Sequence, residues 1–440
     1  MFSLRLASLT LLALVACGPS VGPGGAADGS SGAVSQDSSG TGGSGAIADD
    51  TTSSPVDPST TTGESTESSG TTAVDPCEPG QGWVWSQRFD DEESIGVFND
   101  VLALGSDFVA IGTGTDESTD QPTWIRRYDS AGNELWRTEL AGPGFLSRGV
   151  IVDGEDVVVC TWDNEQGQFV RLSGEDGAVL WSQEQGQFWC WGLATDVSGV
   201  TTVVGTHFFD GQPNIDEVRA IDGAGSPLWT WESTPNPGTE LDGVTMVDGE
   251  TVVVGDLHDE FGADRVRLAR LDAQGQLLWS TTYEGVVFPS ELRATEIAIE
   301  PGGDIVLAGR QRLGVTGGTD LVVWRSTSEG ELVWMTVHDF GHPDDRVRDL
   351  LISPRGDIIV TGGVGDQNPA RGNILGAFDV LLASFASADG SLQWSDTLGL
   401  TEIDFGRGLV LDECGGLIVG GSSFEEKEYA SRPWLGRYMP

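Results

Sequence analysis

The sequence predicts an all-β fold made of repeated four-stranded units, and two recurrent motifs carry this prediction. In the first motif a Gly stands four residues before a Trp, and the pair recurs at intervals of about 45 to 60 residues. The six pairs are Gly132/Trp136, Gly177/Trp181, Gly225/Trp229, Gly275/Trp279, Gly330/Trp334 and Gly390/Trp394. A recurrence at such a period is typical of repeat architectures, in which each unit packs on its neighbours.

The second motif lies between the Trp landmarks and consists of a turn, an apolar run and a closing Gly or Cys. It occupies residues 105–112, 153–160, 198–205, 248–255, 302–309, 355–362 and 414–421. Runs rich in β-branched residues and bounded by Gly, Asp or Ser favour strands joined in hairpins. Each unit is therefore predicted to contain strand a, a tight turn, strand b, a longer connection, strand c, a tight turn, and strand d with its Trp.

The two ends of the repeat region complement each other. Seven a–b hairpins stand against six complete c–d hairpins, while residues 433–440 resemble a strand c and residues 82–89, with Trp85, resemble a strand d. If these two end segments share one blade, the sequence predicts a closed β-propeller of seven four-stranded blades with split-blade closure. Six or eight blades remain as alternatives.

The N-terminus predicts export. Residues 1–16 combine Arg5 with an apolar run that is too short to span a bilayer. The string Leu-Val-Ala-Cys at 14–17 resembles a bacterial lipoprotein signal, which implies lipidation of Cys17 and a membrane anchor there. By the same resemblance, Gly18 favours the outer membrane or cell surface over the inner membrane. The alternative is an ordinary secretory signal with a chance Cys.

The segment after the signal differs sharply in composition from the rest. Residues 17–76 are dominated by Gly, Ser, Thr, Ala, Asp and Pro and contain no aromatic residue. Such a chain cannot bury enough apolar area to offset its conformational entropy, so it is predicted to be a disordered tether. Residues 77–440 form the predicted propeller.

The charge of the chain narrows the range of partners. Acidic residues number 68 against 23 Lys and Arg, for a formal net charge of −45. Because like charges repel, this balance argues against nucleic acid and anionic lipid surfaces as partners. A protein or a glycan is the predicted partner.

Four cysteines remain after Cys17. An even number in an exported chain predicts disulfides, and three connectivities are possible. The repeat map favours a Cys160–Cys190 bridge between neighbouring blades and a Cys77–Cys414 bridge at the seam where the two ends of the chain meet. Four unpaired thiols are the alternative.

The repeats also resemble a known class. The c–d unit, as in RLDAQGQLLW at 270–279, resembles the repeats of pyrroloquinoline-quinone-type propellers, and the VVVG and IVTG hairpins resemble those of bacterial surface propeller lipoproteins. The resemblance covers about 77–440 and implies the fold. Quinoprotein dehydrogenases carry Ca²⁺ and often an adjacent Cys pair, and this chain has no adjacent cysteines. A non-enzymatic outer-membrane assembly lipoprotein is the closer analogy.

Three basic residues are candidates for ligand binding. Arg148, Arg348 and Arg407 recur near the start of strand a, which is the innermost strand of a blade. They are predicted to lie at the channel mouth, where they would hold an anionic group. The alternative is that they form salt bridges with nearby acidic residues such as Asp345, Asp349 or Asp404.

Other chemistry-bearing segments carry weaker predictions. His338 and His342 stand in an acidic loop, where a solvated loop is favoured over a zinc site. The acidic strings at 90–94 and 256–264 could bind Ca²⁺ through oxygen ligands, although neither matches the EF-hand spacing. No metal site, catalytic residue or cofactor is predicted, with Ca²⁺ left open. Trp189 and Trp191 form either an aromatic platform or interblade packing.

These observations predict an exported, lipid-anchored module of the cell envelope without catalytic activity. It would bind or scaffold a partner through the face that carries the b–c and d–a connections, since long connections on a rigid scaffold commonly carry function. The longest b–c connections are predicted at 310–320 and 363–379. The alternative function is a propeller enzyme, quinoprotein-like or hydrolytic, with a Ca²⁺-dependent site at the channel mouth.

Overall fold

A computed structural model describes thirteen segments of the chain. They are residues 82–89, 96–114, 122–140, 145–162, 166–208, 214–233, 239–258, 264–285, 290–313, 318–367, 375–401, 403–425 and 430–440. All of them belong to one compact unit, Thr72–Pro440. The predicted signal peptide, the lipidation site Cys17 and the predicted tether lie outside the described residues.

The described residues form 28 strands and no helix, which confirms the all-β prediction. The strands a are β2 (Gly96–Leu104), β6 (Phe145–Val152), β10 (Phe188–Thr195), β14 (Thr239–Val247), β18 (Ser290–Ile299), β22 (Asp344–Ile352) and β26 (Ile403–Leu411). The strands b are β3 (Asp107–Gly114), β7 (Asp156–Trp162), β11 (Thr201–His207), β15 (Glu250–His258), β19 (Ile305–Leu313), β23 (Ile358–Gln367) and β27 (Leu417–Glu425). The strands c are β4 (Thr123–Tyr128), β8 (Gly167–Leu172), β12 (Ile215–Ile221), β16 (Asp264–Leu271), β20 (Thr319–Ser326), β24 (Leu375–Phe385) and β28 (Ala430–Met439). The strands d are β5 (Glu134–Leu140), β9 (Val179–Gly186), β13 (Pro227–Glu232), β17 (Leu277–Tyr283), β21 (Leu332–His338), β25 (Leu392–Leu398) and, from the start of the described chain, β1 (Gly82–Arg88).

Strands pair antiparallel in the order a-b-c-d, as in β2-β3-β4-β5. The exception in chain order is β1, which pairs antiparallel with β28 and so stands as strand d beside β26–β28. Neighbouring four-stranded sets meet through their strands a, and β2 contacts both β6 and β26. Sheets arranged in this way form a β-propeller. In the described part of the chain, no helix has the length and apolar character that a membrane crossing requires.

The Gly/Trp motif turns out to be a contact between successive sets. All six turn glycines have a positive φ, and a Cβ atom on any of them would lie within 3.3 Å of the Trp of the preceding set. Only Gly combines that backbone conformation with so close an approach. The contacts are Gly132 on Trp85, Gly177 on Trp136, Gly225 on Trp181, Gly275 on Trp229, Gly330 on Trp279 and Gly390 on Trp334.

The same turns receive hydrogen bonds from the preceding set. The indole N–H of Trp136 donates to the Gly174 carbonyl at 2.9 Å, and that of Trp334 donates to the Ser387 carbonyl at 3.0 Å. Corresponding bonds run from Trp181 to Gly223 and from Trp229 to Ala273. The landmark Trp residues therefore hold neighbouring sets together, as structural residues of the repeat.

Arginines on strand c reinforce these contacts. Arg325 pairs with Glu300 at 2.8 Å and with Asp304 at 2.9 Å, and its Nη1 donates to the Ser387 carbonyl. Arg127 pairs with Asp107 in the same way. Further members of this group are Arg171, Arg270 and Arg437, which pair with Asp156, Glu250 and Asp412. Much of the small complement of basic residues is thus used in building the scaffold.

The predicted Cys160–Cys190 disulfide is confirmed. It joins β7 to β10 of the next set, with a Cα–Cα distance of 6.3 Å. Both residues are buried. Cys414 is also disulfide-bonded, while its predicted partner Cys77 lies outside the described residues, so that pairing stays a prediction.

Removal of this bridge is expected to destabilise the fold. The two cysteines are 30 residues apart, and releasing a loop of that size adds chain entropy to the unfolded state. Replacing both with Ala should lower the free energy of unfolding by about 3–4 kcal/mol, measured by urea denaturation. Under strong reduction the wild type should approach the variant. A loss below about 1 kcal/mol would show that the unfolded chain is not constrained at this point.

Candidate functional site

The strands a share a β-bulge that selects which side chains they present. One residue of the strand is left unpaired at the bulge in β2, β10, β14, β18, β22 and β26, namely Asn99, Trp191, Asp242, Thr295, Arg348 and Arg407. In β6 the register shift falls just before Arg148. Because a bulge re-aims a side chain, these positions form one level on the surface made by the strands a, which we call the inner surface.

The three predicted arginines meet at this level. Arg407 and Arg148 are among the charges that lower the pKa of Arg348, so all three lie within electrostatic reach of one another. Their side chains are half-buried. Arg148 lies 3.5 Å from Glu296 Oε1 and donates from Nη1 to the Asn99 carbonyl at 3.2 Å. Its counter-ion is therefore a glutamate that the sequence did not suggest.

Arg348 and Arg407 differ from Arg148 in their partners. Neither has a carboxylate within 4.0 Å among the described residues, and the Nε atom of Arg348 is buried without a hydrogen-bond partner. Arg407 Nε donates to Ser422 Oγ at 3.2 Å, and the Arg348 guanidinium lies 6.0 Å from the Phe405 ring centre. Burial, followed by repulsion from other arginines, lowers the pKa of Arg348 to about 9 and that of Arg407 to about 10.

The aspartates considered as partners for these arginines are engaged elsewhere. Asp349 accepts from the backbone N–H of Leu350 at 2.7 Å and from that of Leu409, on the next strand a, at 2.6 Å. Asp404 accepts from the backbone of its own connection. The salt-bridge alternative is thus not found for Arg348 and Arg407 in the described structure.

Three carboxylates of the inner surface share one repeat position, and two of them, Asp100 and Glu296, escaped the sequence analysis. The three are Asp100, Glu296 and Asp349, each at the position directly after the bulge, where the other four strands a carry Gly. Burial raises the pKa of all three, and that of Glu296 reaches about 7. Asp100 joins two sets by accepting from the Gly149 N–H at 3.0 Å. The sequence signal was an acidic residue replacing Gly at a fixed repeat position.

The aromatic residues around Cys190 form one cluster. Trp189 stacks on Trp191 with ring centres 5.3 Å apart and on Trp162 at 6.0 Å, and it also contacts Phe208. Trp191 Nε1 donates to Thr206 Oγ at 2.9 Å, whereas Trp189 Nε1 is buried without a partner. The three Trp rings are half-buried, so the cluster packs internally while keeping part of its surface accessible.

The two histidines of the acidic loop do not act as a pair. His338 Nε2 lies 3.0 Å from the Gly390 carbonyl, to which it donates, and its ring packs 4.5 Å from that of Phe385. Burial lowers the pKa of His338, in line with a structural role. His342 is exposed on the connection before β22. Residues 90–94 and 259–263 lie outside the described segments.

The predicted long connections are shorter than expected. Strand β19 extends to Leu313, β23 extends to Gln367, and β24 begins at Leu375. Most of 310–320 and of 363–379 therefore consists of strand and not of loop. Antiparallel pairing of β19 with β20, and of β23 with β24, continues into these segments and pairs their backbone groups. Residues 314–317 and 368–374 are outside the described chain.

The opposite face carries a depression of about 890 Å³ lined by a–b turns. Two of its carboxylates already have partners in the protein. Asp196 accepts from the backbone of Ser198 and Val200, and Asp153 pairs with Arg171 at 2.6 Å. The inner surface carries two arginines with no carboxylate within 4.0 Å among the described residues, and it therefore offers more binding chemistry than this depression.

Comparison with known proteins agrees with the repeat structure. Residues 71–266 match the family model described as outer membrane protein assembly factor BamB. The predicted resemblance is confirmed over this segment. The BamB-like segment includes Arg148 and the Cys160–Cys190 bridge, while Arg348 and Arg407 lie beyond it. No curated protein matches the chain.

Solved structures show likeness in fold. The chain is similar to hydrazine synthase of Kuenenia stuttgartiensis, at 9% identity over 76% of this chain and 94% of that one, with a TM-score of 0.51. Similar chains also include the Dos1 propeller (9% identity, 81% and 95% covered, TM-score 0.49) and a Dyadobacter fermentans protein of unknown function (12%, 82% and 100%, 0.47). Identities this low extend to architecture and not to chemistry.

Proposed function

We propose that this protein is an exported, lipid-anchored propeller of the cell envelope that binds a partner without catalysing a reaction. The match to an outer membrane assembly factor over 71–266 and the lipoprotein-like string ending in Cys17 support the location. Its proposed form is a closed ring of seven blades. Pairing of β1 with β28, together with contacts of β2 to β6 and β26, supports this closure.

One observation carries the binding proposal. In a chain with a net charge of −45, Arg348 and Arg407 lie together on the inner surface with no carboxylate within 4.0 Å among the described residues. A desolvated cation with no carboxylate in contact is costly, so the fold does not gain from keeping it. Its guanidinium is suited to two-pronged hydrogen bonding with a carboxylate or another anionic group. We assign to the pair the capture of an acidic group on a protein partner.

The partner would approach from the face of the b–c and d–a connections. Strand a begins on that face, and Arg348 follows the start of β22 by four residues. The accessible parts of the Trp162–Trp189–Trp191 stack supply an apolar contact for the same partner. Aromatic anchors beside arginines are a common composition of binding hot spots.

Site-specific photo-cross-linking in the cells that make the protein tests this proposal. Two exposed glutamates serve as matched positions, Glu240 at the start of a strand a and Glu329 in a c–d turn. A cross-linker at position 240 is expected to capture one protein, and the same group at 329 is expected to capture none. Changing Arg348 and Arg407 to Met together should reduce that capture at least about tenfold, as loss of charged hydrogen bonds does.

Two results would contradict the proposal. Equal capture from both faces would remove the assignment of the binding face. Capture from position 240 that is unchanged in the double arginine variant would remove the assignment of the arginine pair. Urea denaturation of each variant verifies that it is folded.

A further inference from the structure

Three aspartates lie close together at the connection between one four-stranded set and the next. Asp320 is the second residue of β20, Asp339 follows β21, and Asp345 is the second residue of β22. One carboxylate oxygen from each lies within 4.8 Å of the other two. The parallel bridge between Thr319 and Asp344 brings the two strand ends together. The cluster therefore spans a strand c, a d–a connection and the next strand a.

Asp345 has one oxygen that the protein does not satisfy. The residue is 0% exposed. Its Oδ2 accepts from the Phe340 N–H at 2.9 Å, while its Oδ1 is buried with no hydrogen-bond partner. Burial, together with the charges of Asp339 and Asp320, raises the pKa of Asp345 to about 6. A buried carboxylate with an unsatisfied oxygen, close to two further carboxylates, is unfavourable unless it takes up a proton or a cation joins the three.

The next repeat provides an internal comparison. The bridge between Phe378 and Ile403 corresponds to that between Thr319 and Asp344, which makes Asp404 the counterpart of Asp345 and Asp379 the counterpart of Asp320. In Asp404 both oxygens are satisfied. Oδ2 accepts from the N–H groups of Leu400 and Thr401 at 2.6 and 2.7 Å, and Oδ1 accepts from the Thr401 hydroxyl at 2.9 Å.

This comparison separates two roles of the position. Organising the d–a connection requires the backbone contact that both aspartates make, at Phe340 in one repeat and at Leu400 in the next. The second oxygen of Asp404 completes that local network, whereas the second oxygen of Asp345 has no hydrogen-bond partner. Structural capping alone therefore does not account for the arrangement around Asp345.

We propose that Asp320, Asp339 and Asp345 bind a hard divalent cation, Ca²⁺, on the face of the d–a connections. Carboxylate oxygens are the ligands that Ca²⁺ prefers, and water completes a shell of six to eight ligands at such sites. The ion would supply the missing partner of Asp345 Oδ1. It would also tie the start of β22, the strand that carries Arg348, to the preceding set.

Calorimetric titration of Ca²⁺ into the full-length protein, stripped of metal with EDTA, tests the proposal. A site of this kind is expected to bind with a Kd of about 10⁻⁴ to 10⁻³ M, the range of extracellular calcium modules. Asp320→Asn and Asp345→Asn should each weaken binding at least tenfold. Asp379→Asn, the matched change in the next repeat, should leave it unchanged.

The outcomes are decisive in both directions. Loss of Ca²⁺ binding in Asp320→Asn but not in Asp379→Asn establishes the site. Absence of binding to the wild type, or an equal effect of the two Asn variants, overturns it. Tighter binding of Zn²⁺ or Mg²⁺ than of Ca²⁺ overturns the assignment of the ion. Because the readout is ion binding, this result is independent of partner capture at the arginine pair.

Discussion

Replacing Arg348 with Met is expected to stabilise the fold, by about 1–3 kcal/mol in the free energy of unfolding. The Arg348 side chain is desolvated and lies near Arg407 and Arg148, which is why its pKa falls to about 9 from an ordinary value of 12.5. A lowered pKa for a base means that the folded state disfavours its charged form. That penalty is complete below about pH 9 and disappears as the pH rises toward the unfolded value. The gain should therefore be constant between about pH 6 and 8.

Arg325→Met is the matched control, with the opposite sign expected. Arg325 pairs with Glu300 and Asp304 and donates to Ser387, so its removal leaves a carboxylate that is 8% exposed without its cation. A loss of about 2–4 kcal/mol is expected. Urea denaturation of both variants at pH 7 decides the matter. Should Arg348→Met destabilise as much as Arg325→Met, Arg348 would be a scaffold residue and the binding proposal would lose its basis.

The second large effect is expected at a turn glycine. Gly390 has a φ of +70°, and a Cβ there would lie 2.6 Å from both Trp334 Cζ3 and Thr336 Oγ1. Gly390→Ala adds backbone strain and a clash with the preceding set, so it should lower the free energy of unfolding by about 2–4 kcal/mol.

A substitution at Gly356 separates the backbone strain from the clash with the preceding set. Its φ is +86°, and a Cβ there would meet nothing within 4 Å. Gly356→Ala should therefore cost only the strain, about 1–2 kcal/mol. Thermal or urea unfolding of the two variants gives the difference, which is the cost of intruding on Trp334. Equal losses would mean that the Trp ring moves aside freely and that the Gly/Trp motif is set by turn geometry alone.

Contacts between neighbouring four-stranded sets stabilise the fold. The polar groups that those contacts leave without a partner are the ones to which we assign binding. The stabilising contacts are illustrated by one turn of the next set, where the Gly174 carbonyl accepts hydrogen bonds from both Arg127 and Trp136. Arg348 and Asp345 illustrate the groups without a partner, since each keeps a buried polar atom without a protein partner. Buried polar atoms without a hydrogen-bond partner occur elsewhere in the described chain as well, but these two residues also lie among like charges, which makes them the places to seek ligands.

The repeat architecture could be predicted from the amino-acid sequence. Hairpin turns, β-branched runs and the spacing of Gly132 to Trp136 depend on neighbouring residues, so they are encoded locally and recur wherever the unit recurs. The same map brought Cys160 and Cys190 together, because strand b of one unit lies beside strand a of the next. Local patterns of this kind determine the backbone conformation of their own segment.

The chemistry of the inner surface and of the aspartate cluster depends on contacts across the tertiary structure. Glu296 meets Arg148 from a strand far along the chain, and Asp320 meets Asp345 only because β20 and β22 bridge in one register. Asp345 and Asp404 stand at equivalent repeat positions, and the local differences between them are the Thr401 hydroxyl and one added residue in a connection, whose effect on the two carboxylates becomes visible only in the folded structure. Charge pairing, bulge direction and desolvation are properties of the assembled sheets, and they decide which ionisable groups are left for a ligand.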